Sequence, residues 1–146
     1  MNRLKQKTDT GIILLVMFVI TLITGIVLHL KSHGIIVEPR AAIKIIHWIA
    51  GFAMIIAAGM HGQQFWKPFC NGFMKKTFGG INTGVLIIMI VAVTITGLVK
   101  LVSPVKIHGL GLWHYWIGML MSIAAIIHLV RGVPVLVAMI KAGKKR

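Results

Sequence analysis

Four long apolar stretches organise the chain, separated by short segments that carry nearly all of its charge. They run over residues 11–30, about 45–66, about 78–99 and about 107–130. A helix rises about 1.5 Å per residue, so about 20 apolar residues cross a hydrocarbon core of about 30 Å. Each stretch is therefore predicted as a transmembrane helix. None keeps the wide polar face of a helix on a soluble core. The expected fold class is all-α and integral to the membrane. It is a four-transmembrane-helix bundle in a single domain over residues 1–146, with a short basic tail at 131–146. The first stretch follows Arg3, Lys5 and Lys7, as a secretory leader would. Its apolar run is longer than a leader's and no A-x-A cleavage site follows, so it reads as a retained span.

Composition supports this reading. Of 146 residues, 58% are hydrophobic and 12% charged, outside the soluble globular range. A net charge of +14 raises nucleic acid as a partner, but the charges are in the wrong places. The 16 Lys and Arg lie between or just beyond the apolar runs and form no basic face interleaved with aromatics. Nucleic acid is excluded, and lipid is the expected surrounding. With the N-terminus inside, 11 basic residues fall in the inner segments and 5 in the outer ones (Lys31, Arg40, Lys44, Lys100 and Lys106). The positive-inside rule then places both termini in the cytoplasm. Trp48, Trp66, Trp113 and Trp116 fall near span ends, as an aromatic belt would.

The chain also repeats. Residues 47–61 read HWIAGFAMIIAAGMH and residues 114–128 read HYWIGMLMSIAAIIH, with seven of fifteen positions identical. The first and third spans echo each other at Ile23-Thr24-Gly25 and Ile95-Thr96-Gly97. The bundle is thus expected to be built from two repeated helix pairs.

The repeat carries the candidate chemistry. His47 and His61 are 14 residues apart, as are His114 and His128. Fourteen steps return within about 40° of the starting face and climb roughly 21 Å. Each pair therefore shares one helix face at two depths. The second and fourth spans run in the same direction, which sets His47 level with His114 near the outer surface and His61 level with His128 near the inner one. Two imidazoles can fill both axial positions of a haem iron, leaving none for substrate. Two such sites would relay electrons across a bilayer. Cys70 is the only cysteine and C-x-x-C-H is absent, so two non-covalent haem b groups are the implied cofactors.

Glycines recur at the same depths. Gly25 and Gly97 lie at the outer level, Gly11 and Gly84 at the inner one; Gly11 and Gly25 are 14 apart, Gly84 and Gly97 are 13 apart. Backbone without side chains leaves room for a ring. Gly51, Met54 and Ala58, then Gly118, Met121 and Ala125, continue the His face at helical spacing. Taken singly, each feature has a plain alternative: a membrane His hydrogen-bonded to a neighbour, a common membrane glycine, an ordinary packing stripe. The joint register favours ligation. Lys44 and Arg131 each lie three residues from a candidate ligand and are candidates for haem propionates, or are ordinary flanking charges. His29, within the first span, is a further functional candidate. His33 and His108 read as solvated loop residues. Gln63 and Gln64 follow His61 at the inner end, where they are candidates to border a quinone.

The H-x13-H pairs on alternate helices, with paired glycines on the other two, resemble the haem-bearing half of cytochrome b from bc-type complexes, over all four spans. The resemblance implies His47, His61, His114 and His128 as ligands, and Gly11, Gly25 and Gly97 as ring-packing positions. Gly84 departs from the 14-residue spacing. The quinone-site signatures of that family lie outside such a bundle, so its quinol-oxidation mechanism does not carry over. Thr24-Gly25, Thr96-Gly97 and the two His-bearing helices also resemble, more loosely, the flavinylation-associated cytochrome domain family of small bacterial membrane cytochromes. That resemblance implies electron transfer with an extracytosolic flavoprotein. The expected setting is the bacterial cytoplasmic membrane, multi-pass, with a flavoprotein or cytochrome as outer-face redox partner, a quinol as candidate donor, and electron flow in either direction. The expectation is an electron carrier rather than a stand-alone enzyme. Two alternatives stand beside it: a haem-bearing anchor subunit of a larger oxidoreductase, and a His-dependent metal-ion transporter or sensor.

Overall fold

The computed structural model describes residues 3–32, 39–105 and 107–144, with side chains described for 5–30, 39–105 and 107–141. His33, Glu38, Lys106, Lys145 and Arg146 lie outside the described residues, as do the side chains of Arg3, Lys31 and Lys144. The described chain is helical almost throughout: α1 (Arg3–Ser32), α2 (Arg40–Gln64), α3 (Trp66–Met74), α4 (Phe78–Val102) and α5 (Leu110–Lys144). Among the described residues, four helices are long and apolar enough to cross a membrane: Lys5–Leu30, Arg40–Gln64, Phe78–Val102 and Leu110–Lys141. The chain is an all-α multi-pass membrane protein.

Local chemistry explains the breaks. Pro39, with extended backbone at φ −87° and ψ 118°, sets the start of α2, where a fixed proline φ and a missing N–H cost nothing. The Thr77 hydroxyl accepts from Gly80 N and caps α4. Gly109 takes φ +78° just before α5, a conformation open to glycine and strained for other residues.

Two elements differ from expectation. α3 was not foreseen: Phe65 leaves helical geometry at φ −116° and ψ 17°, and a new helix starts at Trp66. Pro68 is tolerated in its first turn. Trp66, Phe69 and Phe73 then follow one another along it with ring centroids 5.4 and 5.7 Å apart. The stretch expected as a basic tail, 131–146, continues α5 to Lys144 through Pro134. Residues 135–140 are apolar, and backbone in lipid must bond to itself. The local loss at Pro134 is therefore cheaper than ending the helix there.

The chain forms two compact units that follow the sequence repeat. The first comprises residues to Phe65 with those from Val135 onward, and the second runs from Trp66 to Pro134. In the first, α2 packs along α1. Ala50, Met54 and Ala57 of α2 are buried, whereas Ile56 is 67% exposed. In the second, α3 turns back against α4. The Thr77 hydroxyl donates to Gly72 O at 3.0 Å, and Gly72 O also accepts from Thr77 N at 2.9 Å. α5 joins α4 through Asn82 Nδ2, which donates to Ala124 O at 3.2 Å. Met121, Ser122 and Ala124 are buried. Large aliphatic side chains turn outward and small ones inward, the arrangement of a helix pair solvated by lipid. Along the expected stripe, Met54 and Met121 are buried, while Gly51, Ala58, Gly118 and Ala125 are half-buried.

Candidate functional site: threonine-held histidines

His47 and His61 stand on α2 in the first unit; His114 and His128 stand on α5 in the second. All four are half-buried. Their surroundings are built within each unit.

Around His47 and around His114 the two units have the same local geometry. Thr24 Oγ1 lies 3.0 Å from His47 Nδ1, and Thr96 Oγ1 lies 3.0 Å from His114 Nδ1. The glycine after each threonine makes room for the ring. A Cβ on Gly25 would stand 3.2 Å from His47 Cε1, and one on Gly97 would stand 3.1 Å from His114 Cε1. Thr-Gly on one helix thus seats His on its neighbour, twice.

The hydroxyl protons decide the direction of these bonds. Thr24 Oγ1 donates to Ile20 O at 2.7 Å and Thr96 Oγ1 to Ala92 O at 2.9 Å, each one turn back on its own helix. A hydroxyl has one proton to give and two lone pairs to offer. With the proton used on the helix, the threonine can only accept from the ring. His47 Nδ1 also lies 3.2 Å from Thr21 O, a carbonyl that can only accept. In the neutral imidazole, Nδ1 therefore carries the hydrogen and Nε2 keeps its lone pair. A metal-ligating histidine has this form, its other ring N–H given to an oxygen.

Around the second histidine of each pair the pattern is partly kept. Thr83 Oγ1 lies 3.3 Å from His128 Nδ1 and donates to Gly79 O at 2.8 Å, so the same logic protonates Nδ1 of His128. In the first unit the corresponding threonine, Thr10, is buried and engaged by Gln64, whose Nε2 donates to Thr10 Oγ1 at 3.1 Å. His61 packs on Phe65, ring centroids 4.7 Å apart, and Lys7 Nζ sits 4.9 Å from the Phe65 centroid.

The remaining candidates fall in different places. Gly84 borders Phe73, where a Cβ would stand 2.9 Å from Cε2; Gly11 borders Leu136, and Gly118 borders Val93. Gly51 has open space around it to 4 Å. Lys44 Nζ lies over Trp48 at 4.6 Å, and the Arg131 guanidinium lies over Phe78 at 5.3 Å, so both cations have an aromatic partner. His29 is half-buried on α1, His108 is exposed, and Gln63 is exposed.

Sequence reading singled out the glycines; it noted Thr24 and Thr96 only as part of the repeat and gave no threonine a role beside a histidine. Each of the four is preceded by threonine: Thr10-Gly11, Thr24-Gly25, Thr83-Gly84 and Thr96-Gly97. That recurrence was the available signal. Among the described residues, no three His, Cys, Asp or Glu side chains converge to cage a bare metal ion. A haem asks less of the protein, one imidazole on each side, and a half-buried imidazole with its Nε2 lone pair preserved is the right donor. Comparison of the chain with protein families, with curated proteins and with solved structures gives no match.

Proposed function

We propose that this chain is a b-type cytochrome of the membrane, in which His47 with His114 and His61 with His128 ligate two haem b groups and relay electrons across the bilayer. The observation that carries the reading is the threonine-held imidazole, repeated in both halves of the chain with Nδ1 protonated and Nε2 kept as a donor. The proposed pairing rests on the equal 14-residue spacing of the histidines and on the alternation of the spans that carry them.

Held by His47 with His114 and by His61 with His128, haem would supply one-electron chemistry. The protein's own residues orient the imidazoles, and the apolar outward faces of its helices keep water from the path. Lys44 and Arg131 are placed at the ends of the His-bearing segments, where they offset propionate charge. Basic residues cluster on the side that holds both termini, which this reading makes the cytoplasm of a bacterium. Electrons pass between a donor at that side, quinol being the natural class, and a redox protein at the outer face, an extracytosolic flavoprotein or cytochrome.

The test is a reduced-minus-oxidised visible spectrum of the purified full-length chain, with haem quantified per chain. Two b-type haems are expected. His61→Ala should remove one and spare the other. A colourless protein that binds zinc would overturn the reading.

A further inference from the structure

Three threonines reach the candidate ligands through ring Nδ1, at 3.0, 3.3 and 3.0 Å for His47, His128 and His114. We infer that Thr24, Thr83 and Thr96 are positioning residues that hold His47, His128 and His114 in the Nδ1–H form and thereby lower the reduction potential of the iron each would ligate. The inference rests on the haem ligation proposed above.

The tautomer comes first. Free imidazole moves its single hydrogen readily between the two nitrogens, and a ligand needs Nε2 bare. Each threonine gives its own proton to a carbonyl one turn back, at 2.7, 2.8 and 2.9 Å for Thr24, Thr83 and Thr96. Each hydroxyl therefore presents only lone pairs to the ring. In a low-dielectric surrounding an unmade bond at Nδ1 is costly, so the hydrogen stays there.

The potential follows from the same bond. Donation from Nδ1–H to oxygen pushes electron density into the ring and makes Nε2 a stronger donor. A stronger donor stabilises the more positive iron, the ferric form, and lowers the potential. Hydrogen bonding around the axial ligand is one of the protein's levers on haem. Thr→Val keeps the branched shape and removes the acceptor, so it should raise the potential.

The geometry ranks the variants. Thr24 and Thr96 serve histidines of one proposed pair, His47 and His114, and Thr83 serves the other. T24V and T96V should raise the same one of two midpoints, and T83V the other. T96V should act more strongly than T24V, because Thr21 O still accepts from His47 at 3.2 Å when the Thr24 hydroxyl is gone. Thr94 supplies the control. It lies two residues before Thr96, about 200° round α4, and its hydroxyl donates to Ile90 O at 2.7 Å, so T94V makes the same chemical change on another face of the helix.

Two measurements on the full-length chain test this. The first is potentiometric titration of the haem-loaded protein, with T96S as the conservative variant that restores the acceptor. T96V should raise one midpoint, T83V the other, and T96S and T94V neither. The second is the ¹⁵N spectrum of the histidines in detergent-solubilised protein without haem, where His47, His114 and His128 should show the Nδ1–H form and T96V should release His114 towards Nε2–H. Midpoints unmoved by both T96V and T83V, or His114 in the Nε2–H form in the unsubstituted protein, would overturn the inference while leaving ligation standing. A chain that keeps His114 in the Nδ1–H form but takes up no haem would overturn the cytochrome reading instead.

Discussion

Thr96 Oγ1 stands 3.0 Å from His114 Nδ1, the same separation that joins Thr24 to His47 in the other half of the chain. The two contacts link helices of the same repeat unit. Each sits beside a glycine whose missing Cβ admits the ring, at 3.1 and 3.2 Å. The duplicated element is therefore more than a spacing of histidines. It is a small machine of three residues, Thr, Gly and His, that orients an imidazole and assigns its hydrogen.

The glycine in that element is expected to be sensitive to a single methyl. Gly25→Ala and Gly97→Ala put a carbon tighter against the imidazole than ordinary contact allows, so the ring must shift by a few tenths of an ångström. Overpacking of this kind costs about 1–3 kcal/mol. Thermal melting in detergent should fall in both variants, and haem uptake should weaken with it. Gly51→Ala and Gly59→Ala meet nothing within 4 Å. They should melt at or above the unsubstituted chain, because alanine is the better helix former by about 1 kcal/mol. Equal melting across all four would show that the close approach at Gly25 and Gly97 has no consequence.

Thr10 and Gln64 should behave as a coupled pair. Thr10 Oγ1 donates to Gln6 O at 2.8 Å and accepts from Gln64 Nε2 at 3.1 Å. Gln64 Oε1 is buried with no hydrogen-bond partner among the described residues. Thr10→Val leaves Gln64 Nε2 without its Thr10 acceptor, beside the buried Oε1, at a cost of about 1–3 kcal/mol. Gln64→Leu removes the amide together with its unmet acceptor and should be near neutral. Adding Gln64→Leu to Thr10→Val should then recover most of the lost stability, a positive coupling that a double-mutant cycle reads directly. Additive losses would contradict the pairing.

How much of this was legible beforehand depends on which force decides each element. The four spans were legible, since uninterrupted apolar residues of membrane length have few other uses. α3 was not, because it depends on Phe65 leaving helical geometry and on a turn held by Thr77. The helical continuation past Pro134 ran against a rule learned in water, where a proline after a basic flank ends a helix. The spacing of the histidines along α2 and α5 was legible. The threonines were half legible. A threonine within a membrane helix usually bonds its own preceding turn, as Thr94 does to Ile90 O at 2.7 Å. Nothing in a single Thr separates it from Thr96; the recurrence of Thr-Gly four times does.

The turn between α3 and α4 should be the most fragile point of the second unit. A Cβ on Gly80 would fall onto the backbone of Gly72 and Phe73, atoms that cannot move aside as a flexible side chain can. Thr77 closes the same turn from both sides, accepting from Gly80 N at 3.1 Å and donating to Gly72 O at 3.0 Å. Thr77→Ala should cost about 1 kcal/mol, as the loss of a helix cap does. Gly80→Ala should cost more, in the upper part of the range for overpacking, about 3 kcal/mol. Gly79→Ala meets only the end of the Arg131 side chain, at 3.4 Å, and should be mild. Protease cleavage between Lys75 and Thr77 in detergent should rise in the order Gly79→Ala, Thr77→Ala, Gly80→Ala. A different order would place the strain elsewhere.

Cys70 offers a direct test of orientation. It is the chain's only cysteine and lies half-buried in α3, between the second and third spans. The distribution of Lys and Arg puts that segment on the side of the N-terminus, which the proposed topology makes the cytoplasm. A membrane-impermeant maleimide should therefore label Cys70 in inverted vesicles and spare it in intact spheroplasts. Replacing Cys70 with Ser and exposed Val105 with Cys moves the thiol to the segment between the third and fourth spans. The labelling should then reverse. If Cys70 labels from outside and Val105→Cys from within, the chain is inserted the other way. The His47 and His114 level would then face the cytoplasm, and the direction from donor to acceptor would have to be redrawn with the same ligands.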